Sequence, residues 1–248
     1  MIKIIPIRGI PEVKYGDDVG EIIINACRRE GIELQDNDII VVSQVIVSKA
    51  EGNVVNLDDI IVSKHAEQLA ALTGKDPRHV EVILRSSRKI VKVKGGVIIT
   101  ETKHGLVCAN AGVDLSNVGE GKAALLPEDP DKSARQIRNR IRDLTGLDVA
   151  VIICDTHGRP FRRGTINIAI GCSGLEPLWD RRGEKDLYGR ELRSKVTCVA
   201  DELASAAELV IGQADEGTPA AVIRGYRYER GEKPAREIIR PEEEDMFR

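Results

Sequence analysis

Three polar clusters carry most of the chemistry available to this sequence, and each stands where an apolar run ends. The first is Asn110, Ala111, Gly112, Val113, Asp114, Leu115, Ser116 and Asn117; the second is Cys154, Asp155, Thr156, His157, Gly158 and Arg159; the third is Ile211, Gly212, Gln213, Ala214, Asp215, Glu216, Gly217 and Thr218. Asn, Gly, Asp and Ser are ordinary turn residues, so the first and third clusters also read as plain turns. An acid delivered directly by the apolar run VAVIIC is harder to explain that way. Asp114 and Asp155 are hard oxygen ligands, each followed by further oxygen donors (Asn117, Thr156). Mg²⁺ or Mn²⁺ asks for this when it bridges carboxylates to nucleotide phosphates and keeps waters on its remaining positions. Glycine-flanked amides in the third cluster could line a phosphate, but Asp215 and Glu216 would oppose a bare one, which favours an intervening cation.

Other signatures are missing. Gly119-Glu120-Gly121-Lys122 fails as a P-loop because Ser116 replaces the first Gly and Ala123 the Ser/Thr. No G-x-G-x-x-G opens a helix, no G-x-S-x-G elbow occurs, and His65, His79, His104 and His157 never pair at H-x-x-x-H spacing, so each reads as a surface or supporting residue. Arg135, Arg138, Arg140 and Arg142 read as the solvated face of a helix. Arg159, Arg162 and Arg163 crowd a loop beside Asp155, where guanidinium forks could bind phosphate or carboxylate of a substrate. Five widely spaced cysteines without a C-x-x-C pair argue against a disulfide framework or zinc knuckle.

The elements that must position these clusters follow from periodicity. Residues 2–8 read as a strand, and Val19, Ile22, Ile23, Ala26 and Cys27 as a helix capped by Asp18 with Glu21 three residues on. Ile39 to Val47 is β-branched and continuous, as in a buried strand, and Ser48 to Gly52 reads as a polar turn. Ser63 caps a helix through Leu72 that Gly74 stops, and Pro77 opens another. Lys89 to Ala109 forms three short strands broken at Gly95-Gly96 and His104-Gly105. A helix follows with Ala134, Ile137, Ile141 and Leu144 on its apolar face, then strands at Val149–Cys154 and Ile166–Gly171. Val199 to Val210 stripes a last helix, and Ala220–Arg224 is a strand before an acidic tail. Because strands come in consecutive runs, the expected class is α+β with mixed or antiparallel sheets and packed helices, not a doubly wound parallel sheet.

Composition sets the outer bounds. With 248 residues, 42% hydrophobic and 31% charged, the chain can bury a sizeable core. A net charge of −3 argues against a grip on duplex nucleic acid. The opening MIKIIPIRGIPEV lacks the apolar core of a signal peptide, and no run of about 18 apolar residues could span a bilayer. The expectation is a cytoplasmic protein with no membrane partner.

Several of these runs together resemble the coenzyme F420-0:L-glutamate ligases: Asn110-Ala-Gly-Val-Asp-Leu-Ser-Asn-Val118, the junction at Asp155-Thr156 with Arg159 and Phe161-Arg-Arg-Gly164, Ser48-Lys-Ala-Glu-Gly52, Lys185-Asp-Leu-Tyr-Gly-Arg-Glu-Leu192, and Val199-Ala-Asp-Glu-Leu203. The resemblance covers nearly the whole chain and identifies residues 1–248 as a single ligase module, open to division into two discontinuous subdomains. It matches the stand-alone archaeal type, without the C-terminal nitroreductase-like domain of some bacterial relatives. It implies an unusual α+β fold, an intertwined homodimer, and GTP-dependent addition of L-glutamate, one after another, to F420-0, giving F420-1 and F420-2 with GDP and phosphate released. Two divalent ions, Mg²⁺ or Mn²⁺, and K⁺ are implied as cofactors.

Carried over position by position, metal ligation falls on Asp114, Asp155, Thr156 and Gln213, and GTP contacts on Ile10, Pro11, Glu12, Val13, Gln44, Val45, Lys49, Asn117 and the loop Ile211, Gly212, Gln213, Ala214, Asp215, Glu216, Gly217, Thr218. Position 213 is Gln, where Glu also occurs in the family, and length variation between Ser43 and Lys49 leaves Gln44 and Val45 open to a shift of one. The residues alone leave two further classes open: a metal-dependent nucleotide phosphohydrolase and a non-enzymatic GTP-binding regulator.

Overall fold

A computed structural model describes residues 1–246; Phe247 and Arg248, the last two residues of the acidic tail, lie outside the described residues. Along the chain, β1 (Lys3–Ile7) is followed by α1 (Val19–Arg29), β2 (Ile39–Ser43), α2 (Gln44–Glu51), β3 (Val54–Asn56), α3 (Lys64–Thr73) and α4 (Pro77–Arg85). Next come β4 (Ser87–Lys94), β5 (Val97–Thr102), β6 (Val107–Ala109), β7 (Lys122–Ala124) and α5 (Pro130–Thr145). The chain continues with β8 (Ala150–Gly158), β9 (Thr165–Ser173), β10 (Leu178–Asp180), β11 (Val196–Cys198), α6 (Val199–Ile211) and β12 (Ala220–Arg224).

The central sheet has the order β1-β12-β2-β8-β9; β2 and β8 run parallel and every other pair is antiparallel. The class is therefore mixed α+β, as the consecutive strands predict. Strand alternation divides the apolar residues between two cores. Ile40 and Val42 of β2 and Val151 and Ile153 of β8 pack with α1, α2 and α5 through Ile23, Ile46 and Ile141. Ile39, Val41 and Ile152 pack on the other face against Leu203, Ala207 and Ile211 of α6. Both faces being covered explains why β2 and β8 read as continuous apolar runs.

One sequence expectation is corrected here. The strand expected from Ile39 to Val47 stops at Ser43, and Gln44–Glu51 is helical, so the expected polar turn at Ser48–Gly52 is instead the end of α2. Ser48 Oγ donates to Gln44 Oε1 at 2.9 Å across one buried turn. Ile46, Val47 and Ala50 recur at helical spacing on the first core, and Gly52 ends the helix in a left-handed conformation (φ 77°). Burial of that stripe overrides the β preference of Val45, Ile46 and Val47. Elsewhere Asp18, Ser63 and Gly74 hold the cap positions expected, although Glu21 completes no capping box because its carboxylate pairs with Arg140. Leu144, expected on the apolar face of α5, is 38% exposed.

A third core joins α3, α4 and the β4-β5-β6 sheet through Leu69, Val80, Ile83 and Ile98. His79, read from sequence as a surface or supporting residue, is buried there. Arg138 is not part of a solvated face either: it lies against the body, bonded to Val149 O at 2.8 Å, to Asp148 at 2.7 Å and to Glu232. The short pairs β3-β7 and β10-β11 have no counterpart in the sequence reading. Among the described residues no helix is long and apolar enough to cross a membrane.

Candidate functional site

Parallel pairing brings Ser43 beside Cys154, so the carboxyl ends of β2 and β8 finish together. A crevice outside the carboxyl ends of parallel strands is where open α/β sheets place ligands. Here it is a cleft of about 480 Å³ that unites all three polar clusters. Ile10, Pro11 and Glu12 after β1, Gln44, Val45 and Lys49 of α2, Asp114 and Asn117, Asp155 and Thr156, and every residue from Ile211 to Thr218 line it. Val13 does not: it turns inward and is 4% exposed in the first core. Arg159, Arg162 and Arg163 also stand apart on the β8–β9 turn, where Arg159 Nη2 donates to Arg163 O at 3.4 Å.

Asp114 follows a left-handed kink, Asn110 and Ala111 having φ of 53° and 57°. Its backbone is fixed by two hydrogen bonds with Ala124, and its carboxylate accepts from Ser116 N at 2.8 Å and Ser116 Oγ at 2.7 Å. Asn117 Nδ2 donates to Ala214 O at 3.3 Å, tying the first cluster to the third. Asp155 lies near Asp114. Burial pushes its carboxyl up to about 7; the Thr156 amide opposes this and the neighbouring Asp114 charge adds to it. No lysine, arginine or histidine forms an ion pair with either carboxylate among the described residues.

Thr156 and Gln213 belong to a separate network on the α6 side of the sheet. Thr156 Oγ1 donates to Gln213 Oε1 at 2.6 Å, while Gln213 Nε2 donates to Asn167 Oδ1 at 3.1 Å and to Glu208 Oε1 at 3.0 Å. Asn167 N donates to Glu208 Oε2 at 2.8 Å, which locks the assembly to α6. With both amide hydrogens of Gln213 engaged, its carbonyl oxygen is the atom directed to Thr156. Asn167 and Glu208 were not among the candidates read from sequence. A lone Asn in the apolar strand TINIAI was the available signal.

The third loop folds on its own anion. Glu216 accepts from Ala214 N at 2.8 Å, and this and neighbouring amides hold its carboxyl below the usual range. These converging amides form a concavity of the kind that binds phosphate oxygens. Gly212 has φ 75°, a backbone conformation that side-chain-bearing residues rarely adopt, so glycine suits the start of this loop.

Charge decides what else the cleft requires. Glu12, Asp114, Asp155, Asp215 and Glu216 face one cation, the half-buried Lys49, which makes no ion pair among the described residues. A polyphosphate could not enter that field without cations. The donors fit a hard divalent ion that keeps waters and substrate oxygens: Asp114 and Asp155 can supply carboxylate oxygens, and Thr156 and Gln213 neutral ones. No group of three or more His, Cys, Asp or Glu side chains converges among the described residues.

Comparison with known proteins bears on the whole chain. Residues 8–225 match the family described as F420-0:Gamma-glutamyl ligase. The Coenzyme F420:L-glutamate ligase of Methanothermobacter thermautotrophicus is 52% identical over 252 aligned residues, covering all of this chain and 99% of that protein. The protein of the same description from Methanopyrus kandleri is 52% identical with 98% of its length covered, and that from Archaeoglobus fulgidus 44% identical with 96% covered.

Proposed function

The chain belongs to the F420-0:gamma-glutamyl ligase family, and on that premise we propose that it is an enzyme joining L-glutamate successively to coenzyme F420-0 with cleavage of GTP to GDP and phosphate. The observation that carries the reading is the union, in one cleft, of two unpaired carboxylates, a lone lysine and a loop of converging amides. Those are the parts that phosphoryl transfer to a carboxylate needs: charge neutralisation, phosphate positioning and a defined nucleotide seat.

A carboxylate does not accept an amine directly because oxide is a poor leaving group. In the proposed sequence the terminal carboxylate of F420-0 takes the γ-phosphoryl group of GTP, forming an acyl phosphate and releasing GDP. The amine of glutamate then attacks the acyl carbon, the C–O bond to phosphate breaks, and the amine gives up a proton. Lys49 holds phosphate oxygens, and the 211–218 loop offers its amides to the polyphosphate once Glu216 swings aside. Asp114, Asp155, Thr156 and Gln213 would hold the Mg²⁺ or Mn²⁺ ions. When bound, these ions neutralise charge on the transferring phosphoryl group. K⁺ is an additional expected activator. Exposed Leu187 and Tyr188 at the tip of the β10–β11 arm support a homodimer.

GTP turnover tests the reading. Sustained GDP release, beyond one equivalent per site, should require F420-0 and L-glutamate together. Equal release with both omitted would favour a phosphohydrolase, and binding without any release would favour a regulator.

A further inference from the structure

The edge of the central sheet is fastened to α6 by side chains in place of a further strand. β9 is an outer strand, so one row of its backbone groups has no strand to pair with. Asp201, Ser205 and Glu208, four and then three residues apart, lie on one face of α6 and supply the partners. Ala169 N donates to Asp201 Oδ1 at 2.9 Å, Ser205 Oγ donates to Asn167 O at 2.7 Å, and Asn167 N donates to Glu208 Oε2 at 2.8 Å. The sheet itself therefore holds the Glu208 carboxylate in place.

That placement dictates which way the Gln213 amide faces. A carboxylate accepts hydrogen bonds and donates none. Glu208 Oε1 stands 3.0 Å from Gln213 Nε2, and Asn167 Oδ1 stands 3.1 Å from it. Asn167 keeps its oxygen on this side because its Nδ2 donates to Cys154 Sγ at 3.4 Å. Two acceptors thus call for the NH₂ end of Gln213, and its oxygen is left for Thr156 Oγ1 at 2.6 Å and for the cleft. Reversing the amide would set oxygen against both acceptors, and a carboxylate at position 213 would do the same with two anions in contact.

Resting on the divalent-ion seat proposed above, we propose that Glu208, together with Asn167, is a positioning residue: it fixes the Gln213 amide so that an oxygen, and not an NH₂ group, is turned to the ion. Hard divalent cations take oxygen ligands, and loss of a group that orients a metal ligand typically costs roughly 10–100-fold in affinity. Gln213 is then matched to Glu208, one residue donating where the other can only accept.

The test is a cycle of wild type, Glu208→Gln, Gln213→Glu and the double variant carrying both, read by melting of the metal-free protein and by Mn²⁺ titration followed by electron paramagnetic resonance. Each single change puts like against like, donor facing donor or acceptor facing acceptor. The double variant exchanges acid and amide at constant charge and restores the match once the Asn167 amide turns over, with the Cys154 thiol donating to its oxygen. Each single variant should melt about 2–4 °C lower, the scale of one hydrogen bond in a chain of this size, and the double variant should recover. Glu208→Gln should bind Mn²⁺ at least about tenfold more weakly, and the double variant should regain wild-type affinity. If a single variant fails to fold, the double variant carries the test, and weak Mn²⁺ binding by it would overturn the role. A Glu208→Gln protein that melts lower but keeps its Mn²⁺ affinity would make Glu208 a structural tie only and overturn it. Additive effects of the two changes on Mn²⁺ affinity would overturn it as well, since charge alone would then account for them. A wild-type protein that binds no Mn²⁺ would overturn the ion seat and this role together, while GTP turnover still judges the ligase reading separately.

Discussion

At the scale of single residues, Cys154 and Asp155 separate two chemistries. Cys154 packs in the α6-side core with Ala169, and burial pushes its thiol well above the ordinary range. It behaves as a small buried hydrophobe and not as a nucleophile. Asp155 points to the opposite face, close to Asp114, and is left without a cation. A carboxyl buried there without a cation has a purpose other than stability. Asp155→Asn should therefore keep its fold and melt no earlier than the wild type, yet lose most ligase turnover. Cys154→Ala should cost about 1 kcal/mol of stability, in the range of small cavity-forming changes, and retain turnover. An active Asp155→Asn protein, or an inactive but folded Cys154→Ala protein, would contradict the metal-centred mechanism. Lys49, the cleft's lone ammonium, gives a parallel expectation. Lys49→Ala should weaken GTP binding by about 1.5–3 kcal/mol, the scale of a hydrogen bond to a charged group; titration calorimetry reads this directly, and an unchanged Kd would return the residue to plain solvation.

At the scale of elements, legibility depended on whether the signal was local. Ser63, Gly74 and Pro77 mark helix ends through their own backbone chemistry, and the Gly95-Gly96 break marks a hairpin, so these could be read directly. The switch from β2 to α2 could not, because nothing in IIVVSQVIV breaks the apolar run except Ser43 and Gln44. What turns the chain there is the first core, which accepts Ile46, Val47 and Ala50 at helical spacing. The site was legible as separate clusters for the same reason: Asp114 and Asp155 announce themselves as acids after strands. That the clusters share one cleft depends on the parallel β2–β8 register and on the contact of Asn117 with Ala214, which are long-range facts.

Glu81 shows how elements of the third core are fastened. From α4 it accepts from Ser63 N at 3.0 Å and Ser63 Oγ at 2.6 Å, at the start of α3, and pairs with Arg85 at 2.9 Å. The Ser63 hydroxyl foremost, with Arg85 behind it, holds its carboxyl below the usual range. A depressed carboxyl contributes stability above its unfolded pKa and loses it as the pH falls through the folded value. Glu81→Gln should thus destabilise the protein by about 1–2 kcal/mol at pH 7. The gap from wild type should shrink as the pH drops below the ordinary glutamate value of about 4.3. A gap that stays constant down to pH 3 in denaturant titrations would show that the charge plays no part.

At the scale of the whole molecule, three cores hold most of the buried apolar residues, and the segment from β10 to β11 contributes to none of them. From β10 to β11 the chain forms an arm stiffened by its own bonds: Arg181 N to Lys195 O at 2.9 Å, Gly183 N to Leu192 O at 2.8 Å and Asp186 N to Arg190 O at 2.9 Å. Arg181 also stacks over Trp179 at 4.5 Å. Yet the tip presents Leu187 and Tyr188 at 101% and 96% exposure, beyond any core. Ordering a hairpin costs entropy that exposed tip residues do not return within one chain. Burial against a second copy would return it, at about 25 cal/mol per Å² of apolar surface. If the proposed homodimer forms through this arm, the wild type should run as a dimer in light scattering and the substitutions Leu187→Asp and Tyr188→Asp together should shift it to monomer; a monomeric wild type would overturn the proposal. Melting of the isolated body should hardly change at a protein concentration low enough to dissociate the wild type, because neither residue belongs to a core. A variant that remains dimeric would place the contact between copies elsewhere and leave the arm without this role.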